Sequence, residues 1–146
     1  MAKAARAIII EDGKLLVMFR NKEGSKYYTL VGGRVNNDES LEAAVTREVK
    51  EETGLDVIDG KLVYIEEHVA PYNEQYIFIC KIAPHAGVAL QDYSEEAFLN
   101  RLNTNIHEPQ WVQKEAFGRI PFRTPQLQEA IVKALKKGFP KDPVKL

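Results

Sequence analysis

The chain has 146 residues, with 20 Lys or Arg against 21 Asp or Glu, so its formal net charge is −1 with the histidines neutral. This near balance gives no electrostatic reason to expect a nucleic acid partner. Hydrophobic residues make up 45% and charged residues 28% of the sequence, which is typical of a globular protein and excludes disordered and fibrous classes. The length predicts a single domain over residues 1–146.

Signals for membranes or secretion are not found in the sequence. No run approaches the roughly 20 apolar residues of a transmembrane helix, and the first apolar run, residues 7–10, is too short for the core of a signal peptide. Cys80 is the single cysteine and cannot form an internal disulfide. These features predict a cytoplasmic protein with no membrane partner.

The N-terminal part of the chain predicts antiparallel strands. Two apolar runs, residues 7–10 and 15–19, flank an Asp-Gly pair, which favours the tight turn of a β-hairpin. A third strand is predicted over residues 27–31, followed by paired glycines that begin a loop. The apolar spacing then becomes helical over residues 40–53, and Gly54 can supply a left-handed C-cap.

The remaining elements alternate between strands and helices. The pattern predicts strands at residues 55–69, 75–82 and 107–113, and helices at 92–104 and from Thr124-Pro125 to 137. The tail, residues 138–146, is polar and interrupted by prolines, so we expect it to be frayed. Together these elements predict a mixed α/β domain.

Three carboxylates lie on one face of the helix predicted at residues 40–53. At about 100° per residue, Glu51 lies about 60° from Glu48, and Glu52 lies about 40° away on the other side. Like charges at this spacing destabilise an isolated helix unless a cation neutralises them. Oxygen ligands without His or Cys select Mg²⁺, or Mn²⁺ as its substitute, and such sites take further ligands from substrate phosphates.

Two neighbouring features support this metal site. Arg47 is a fixed cation that can orient Glu51 or Glu39, and the paired glycines before the helix can offer a backbone carbonyl to a metal.

The spacing of these residues resembles the Nudix box, the signature of hydrolases that act on a nucleoside diphosphate linked to another moiety. The matching positions are Gly33, Glu39, Arg47-Glu48-Val49, Glu51-Glu52 and Gly54-Leu55, separated by five, seven, one and one residues. The match covers residues 33–55, which is 23 of 146 residues. Many relatives have Pro where Val31 stands and an acidic residue where Asn36 stands; the second difference removes one metal or water contact.

The resemblance implies a fold, a cofactor and roles for residues. The fold would be a mixed β-sheet between helices, in an α/β/α arrangement. Glu48, Glu51 and Glu52 would be Mg²⁺ ligands, with Gly33 contributing its backbone carbonyl, and Arg47 and Glu39 would orient them.

The implied reaction is hydrolysis of a pyrophosphate linkage, with water attacking phosphorus. Relatives place the general base either within the box or on a downstream loop. Four residues therefore stay open as the base or a further ligand: Glu48, Glu95, Glu96 and Glu108.

Contacts to a nucleotide-type small-molecule substrate are predicted from position. Arg20 and Arg34 can bind phosphate, and Tyr28 can stack on a base or sugar. The three histidines, His68, His85 and His107, have no metal-ligand spacing among them and are expected to be structural or exposed.

The substrate itself is left open by the sequence. Pro71 and Tyr72 lie sixteen and seventeen residues beyond Leu55, at positions that in family members suggest ADP-ribose-like or dinucleoside polyphosphate substrates. Nucleoside triphosphates and nucleotide sugars are further alternatives. A nucleotide-binding or regulatory module without turnover is the alternative function, and the resemblance is compatible with a homodimer.

Overall fold

The computed structural model describes residues 2–67, 70–91, 94–102 and 105–146. The elements of this part of the chain are β1 (Lys3–Ile8), β2 (Ile10–Glu11), β3 (Lys14–Lys22), β4 (Ser25–Thr29), β5 (Val31–Arg34), α1 (Leu41–Thr53), β6 (Val57–Glu67), β7 (Glu74–Ile82), α2 (Glu95–Leu102), β8 (Asn105–Gln113), a 3₁₀ turn (Phe117–Arg119), α3 (Pro125–Lys137) and β9 (Val144–Lys145). The predicted mixed α/β class is confirmed.

The strands form two sheets. The larger is mixed, in the order β5-β1-β7-β6-β9, with β1 parallel to β7 and antiparallel to β5. The smaller is antiparallel and is centred on β3, which pairs with β2, β4 and β8. The hairpin predicted at the Asp-Gly pair joins β2 to β3.

The core has two layers because successive strand residues point to opposite faces. On one side, Ala5 and Ala7 of β1 and Phe78 of β7 pack with the apolar face of α1. On the other side, Ile8 and Ile77 pack with α3 and the 3₁₀ turn. The sheets therefore lie between helices, as expected, and α1 is held rigidly against β1 and β5.

The helix termini follow the capping residues in the sequence. Ser40 caps α1 by accepting a hydrogen bond from the Ala43 N–H, and Gly54 ends it with φ 79°. Thr124 caps α3 in the same way, through the Leu127 N–H. The helix predicted at residues 92–104 is present as α2, and its expected ends at 92–93 and 103–104 lie outside the described residues.

Two predicted segments differ from the structure. The strand expected at residues 27–31 is split at Leu30 into β4 and β5, and the paired glycines lie within β5 instead of in a loop. The C-terminal tail, residues 138–146, was expected to be frayed. In the structure, β9 within this tail pairs in parallel with Tyr64 and Ile65 of β6.

No helix within the described ranges is both long and apolar enough to cross a membrane.

Candidate active site

The helix α1 carries two glutamates into the protein interior. Because Val45 and Val49 anchor one side of α1 in the core, Glu48 and Glu52 on the adjoining side lie against β5. Their side chains are buried, with Glu48 7% and Glu52 3% exposed. The Gly32 N–H donates a 2.7 Å hydrogen bond to Glu52 Oε1, which fixes this carboxylate.

The glycines of β5 allow this close packing. A Cβ atom at Gly33 would lie 2.8 Å from both the carboxyl carbon and Oε2 of Glu48. At Gly32, where φ is 141°, a Cβ atom would lie 2.3 Å from the Ala5 carbonyl oxygen. A side chain at position 33 would thus displace the Glu48 carboxylate.

Arg47 connects the loop before α1 to the carboxylates on it. Its Nε and Nη2 atoms donate to the two oxygens of Glu39 at 2.8 and 3.0 Å, and Nη1 donates to Glu48 at 2.9 Å and Glu51 at 3.2 Å. Nη2 also donates to the Arg34 carbonyl oxygen. The hydrogen bond from Arg47 lowers the pKa of Glu39. The predicted orienting pair, Arg47 and Glu39, is therefore formed.

A third carboxylate, which is half-buried, comes from Glu96 of α2. Glu48, Glu52 and Glu96 each place one oxygen within 4.8 Å of the other two. Glu51 also borders the same cavity, but its described contact is the ion pair with Arg47. We call Glu48, Glu52 and Glu96 the acidic cluster.

The electrostatics of the acidic cluster favour a positive charge. Burial, and then the neighbouring Glu96, raise the pKa of Glu48 to about 7. The same two causes raise the pKa of Glu52 well above its ordinary value. Burial also raises the pKa of Glu96. Ionising each carboxylate is thus costly unless a metal ion offsets the negative charge, and without such an ion the protonated form is favoured.

The acidic cluster borders a cavity of about 530 Å³, which we call the cleft. The predicted residues Gly33, Arg34, Arg47, Glu51 and Glu95 line it, together with Arg20. Gly32, Asn36, Tyr72 and His107, which were assigned other roles from the sequence, also line it. The lining residues that were not singled out from the sequence are Arg6, Met18, Thr29, Leu99 and Asn105.

Three buried polar atoms lining the cleft lack a hydrogen-bond partner in the part of the chain that the structure describes. They are Arg20 Nε, Thr29 Oγ1 and Asn105 Oδ1. Burying a polar atom without a partner is costly. These atoms are therefore available to a bound ligand.

His107 lies on the wall of the cleft and is 5% exposed. Asn100 of α2 holds its backbone, because Oδ1 accepts from the His107 N–H at 2.6 Å and Nδ2 donates to the His107 carbonyl at 2.7 Å. Burial and the adjacent Arg20 lower the pKa of His107 to about 4, so the ring is neutral at pH 7. Its place follows from the β3–β8 register, in which Arg20 pairs with His107.

Two residues proposed from the sequence lie elsewhere. Tyr28 packs its ring on Phe19, with 5.3 Å between centroids, and on the second core layer. Its neighbour Tyr27, on the opposite face of β4, lies beside Arg20. Glu108 is exposed, on the opposite face of β8 from His107. The structure therefore does not bring Tyr28 or Glu108 to the cleft.

The other two histidines have separate outcomes. His85 contacts Glu11 at 2.9 Å and stacks on Trp111, away from the acidic cluster. His68 lies outside the described residues.

The family model described as the NUDIX domain matches residues 1–135. The chain belongs to the Nudix family, and the resemblance seen in residues 33–55 is confirmed.

Individual relatives show the same relationship over shorter segments. The chain is 35% identical to the NAD-capped RNA hydrolase NudC of Vibrio atlanticus over 85 residues, which are 58% of this chain and 30% of the relative. It is 34% identical to the CTP pyrophosphohydrolase of Escherichia coli over 70 residues, 47% of this chain and 50% of the relative. The chain thus spans only about 30% to 50% of the length of these two relatives.

Solved structures share the whole fold. The solution structure of the E. coli ORF135 protein superposes with a TM-score of 0.69 at 24% identity, covering 97% of this chain and 95% of that chain. The fold expected from the resemblance is thereby confirmed.

Proposed function

We propose that this protein is a divalent-metal-dependent pyrophosphohydrolase that cleaves a nucleoside diphosphate linked to another moiety. The observation that carries the proposal is the acidic cluster, in which two buried carboxylates and one half-buried carboxylate converge within 4.8 Å beside a cleft lined by arginines. Relatives whose names describe hydrolysis of NAD-capped RNA and of CTP support the reaction class.

The acidic cluster fits Mg²⁺ in its chemistry. Its ligand atoms are all carboxylate oxygens, which hard divalent cations prefer, and its raised pKa values reflect a charge that a cation would offset. Glu48, Glu52 and Glu96 would hold the metal, with Glu51 and the Gly33 carbonyl as the further ligands that the resemblance implies. Bound there, Mg²⁺ would stabilise the negative charge that develops on the phosphate oxygens.

The arginines of the cleft provide the counterpart for the substrate. Arg20 has a buried Nε without a partner among the described residues, and Arg34 lines the cleft beside it. Guanidinium groups bind phosphate through paired, charge-assisted hydrogen bonds. Arg20 and Arg34 would therefore bind the diphosphate, and neutral His107 would add an uncharged polar contact.

The chemical step needs a group that accepts a proton from water. As water attacks phosphorus, the new P–O bond forms, the bond to the bridging oxygen breaks, and the leaving group departs with that oxygen. Glu95 and Glu96 are the candidate bases from α2, since both line the cleft, and Glu48 is the candidate from α1.

Product formation tests this function. It is measured as the phosphate that pyrophosphatase releases from the products of triphosphates, or that phosphatase releases from the products of the other substrates, with the coupling enzyme and its Mg²⁺ added after the reaction has been stopped. The panel comprises nucleoside triphosphates, ADP-ribose, nucleotide sugars, dinucleoside polyphosphates and NAD-capped RNA, with Mg²⁺, with Mn²⁺ or with chelator. We expect metal-dependent turnover, and a fall in kcat/KM of at least about a hundredfold in Glu52→Gln, because even residues that only support a metal ligand contribute 10–100-fold.

A matched control comes from the same helix. Glu42 is exposed in the first turn of α1, so Glu42→Gln should leave turnover unchanged. Turnover that persists in chelator, or in Glu52→Gln at the wild-type rate, would contradict the proposal. Nucleotide binding without turnover across the panel would instead favour the alternative of a nucleotide-binding or regulatory module.

Three further predictions accompany this function: a nucleotide-type small molecule as partner, a cytoplasmic location and a homodimer. The prediction that nucleic acid is not a substrate is tested by the capped RNA in the panel.

A further inference from the structure

A second pocket of about 440 Å³ adjoins the cleft. The two share Arg6, Arg20, Thr29 and Tyr72 as a common wall. Beyond this wall the second pocket, which we call the basic pocket, is lined by Lys22, Tyr27, Pro71, Gln75, Arg123 and Thr124. A ligand that lies along these four shared residues can therefore extend from the acidic cluster into the basic pocket.

Three cations of the basic pocket have no ion-pair partner among the described residues. Arg20, Lys22 and Arg123 line the pocket, and in the described ranges none of the three has a carboxylate within salt-bridge distance. No described Asp or Glu lines the basic pocket. Uncompensated like charges are locally unfavourable, so their convergence favours an anionic ligand.

The polar side chains beneath the basic pocket hydrogen-bond to one another. Arg6 donates to Gln75 Oε1 at 2.6 Å, and Gln75 donates to the fully buried Glu66 at 2.9 Å. Thr124 and Gln126 also donate to Glu66. The Glu66 charge is therefore held within its own hydrogen bonds beneath the pocket, and Arg20, Lys22 and Arg123 are left for a ligand.

The ring of Tyr27, which lines the basic pocket, is not free to stack on a base. Tyr27 is 9% exposed, and the guanidinium carbon of Arg123 lies 3.7 Å from its ring centroid, with that of Arg20 at 5.6 Å. The contact holds Arg123 over the pocket by a cation–π interaction. Among the described lining residues, the other aromatic ring is that of Tyr72, which lies on the wall shared with the cleft. Beyond that wall the basic pocket presents positioned cations, which favour a phosphate over a nucleobase.

We propose that the basic pocket binds a second phosphate of the substrate, apart from the diphosphate that is cleaved. This phosphate is carried on the ribose at the 2′ or 3′ position, and the inference rests on the proposed function. Lys22 and Arg123 bind this phosphate, and Arg20 lies between the two anionic groups. The substrate class is a nucleotide with a ribose phosphate in addition to its diphosphate linkage.

Binding of small nucleotides tests the pocket without requiring turnover. Calorimetric titrations with Mg²⁺ compare adenosine, AMP, adenosine 2′,5′-bisphosphate and adenosine 3′,5′-bisphosphate. One of the bisphosphates should bind at least about tenfold more tightly than AMP, since a phosphate held by two cations adds charge-assisted hydrogen bonds.

Variants assign the preference to the pocket. Arg123→Gln should reduce the preference for the bisphosphate to within about twofold, whereas Arg123→Lys should retain most of it because the charge is kept. Lys133→Gln, at an exposed lysine of α3 paired with Glu129, is the control and should retain all of it. A thermal melt of each variant shows that it is folded.

Two results would overturn the inference. The first is equal affinity for AMP and both bisphosphates. The second is a loss of adenosine affinity in Arg123→Gln as large as the loss of bisphosphate affinity, which would assign the pocket to the base. A turnover pair, coenzyme A against dephospho-coenzyme A, separates the two proposals. A bisphosphate preference without turnover of any diphosphate would contradict the proposed function and support the pocket.

Discussion

Glu48 and Glu52 show how single residues of α1 are adapted to a ligand instead of to stability. Each is buried, and burial raises the pKa of each carboxylate. A glutamate at either position is therefore unfavourable in the protein alone and becomes favourable when a cation is bound. The residues around them, Gly32, Gly33 and Arg47, hold these carboxylates in place.

Gly33 gives a prediction at this scale. In Gly33→Ala the new methyl group meets the Glu48 carboxylate at 2.8 Å, so the carboxylate must move. We expect Mg²⁺ affinity and kcat/KM to fall by about 10–100-fold, as for other changes that displace a metal ligand.

Gly60 is the matched control for this substitution. A Cβ atom there meets Cys80 Sγ at an ordinary 3.5 Å, so Gly60→Ala should change stability by only about 0.5 kcal/mol and leave Mg²⁺ affinity intact. Isothermal titration with Mg²⁺ measures both variants. Equal affinities in Gly33→Ala and Gly60→Ala would show that the close approach has no role.

At the scale of elements, α1 and α2 reach the site in different ways, since α1 follows from a local sequence pattern and the position of α2 depends on its packing against β8. The helix α1 was predicted from the sequence because its caps, apolar spacing and three glutamates lie within one continuous segment. Glu96 was named from the sequence as one of four candidates for the base or a further ligand. Its place beside Glu48 and Glu52 could not be predicted, since α2 packs on β8, which in turn pairs with β3 from a distant part of the sequence. Likewise, His107 and Arg20 come together through a β3–β8 register that no local pattern encodes.

Asn100 tests the link between α2 and β8. Asn100→Ala leaves the partly buried N–H and carbonyl of His107 without their side-chain partners, which should lower the free energy of unfolding by about 1–3 kcal/mol in urea titrations. Because α2 also carries Glu96, the Tm increase produced by Mg²⁺ should become smaller.

Gln91 provides the comparison for this prediction. Among the residues that the structure describes, its side-chain amide donates to the Ala89 carbonyl, two residues away, so Gln91→Ala should have a smaller effect on both measurements. If Asn100→Ala and Gln91→Ala behaved alike, α2 would not be positioned by its contacts with His107.

For the whole molecule, the raised pKa of Glu48 links folding to pH, and under the proposed function it links metal binding to pH as well. The pKa of Glu48 is raised from an ordinary 4.5 to about 7, so between these values the folded protein binds more protons than the unfolded chain. The contribution of Glu48 to the stability of the metal-free protein is therefore complete below about pH 4.5 and is lost as the pH rises through about 7.

The effect of Mg²⁺ should follow the opposite trend. Protons and Mg²⁺ compete for the same carboxylates, so the Tm increase produced by saturating Mg²⁺ should be small near pH 6 and larger near pH 8. Thermal melts with and without Mg²⁺ across this interval measure it. A Tm increase independent of pH would contradict the link between metal binding and the acidic cluster.

The most direct measurement of the central claim is a Mn²⁺ titration followed by electron paramagnetic resonance, in the wild type, Glu52→Gln and Glu42→Gln. If the acidic cluster holds the metal, we expect Mn²⁺ to bind and Mg²⁺ to displace it. The Mn²⁺ affinity should fall at least about tenfold in Glu52→Gln and stay at the wild-type value in Glu42→Gln. Equal Mn²⁺ affinity in Glu52→Gln and the wild type would show that the acidic cluster does not hold the metal.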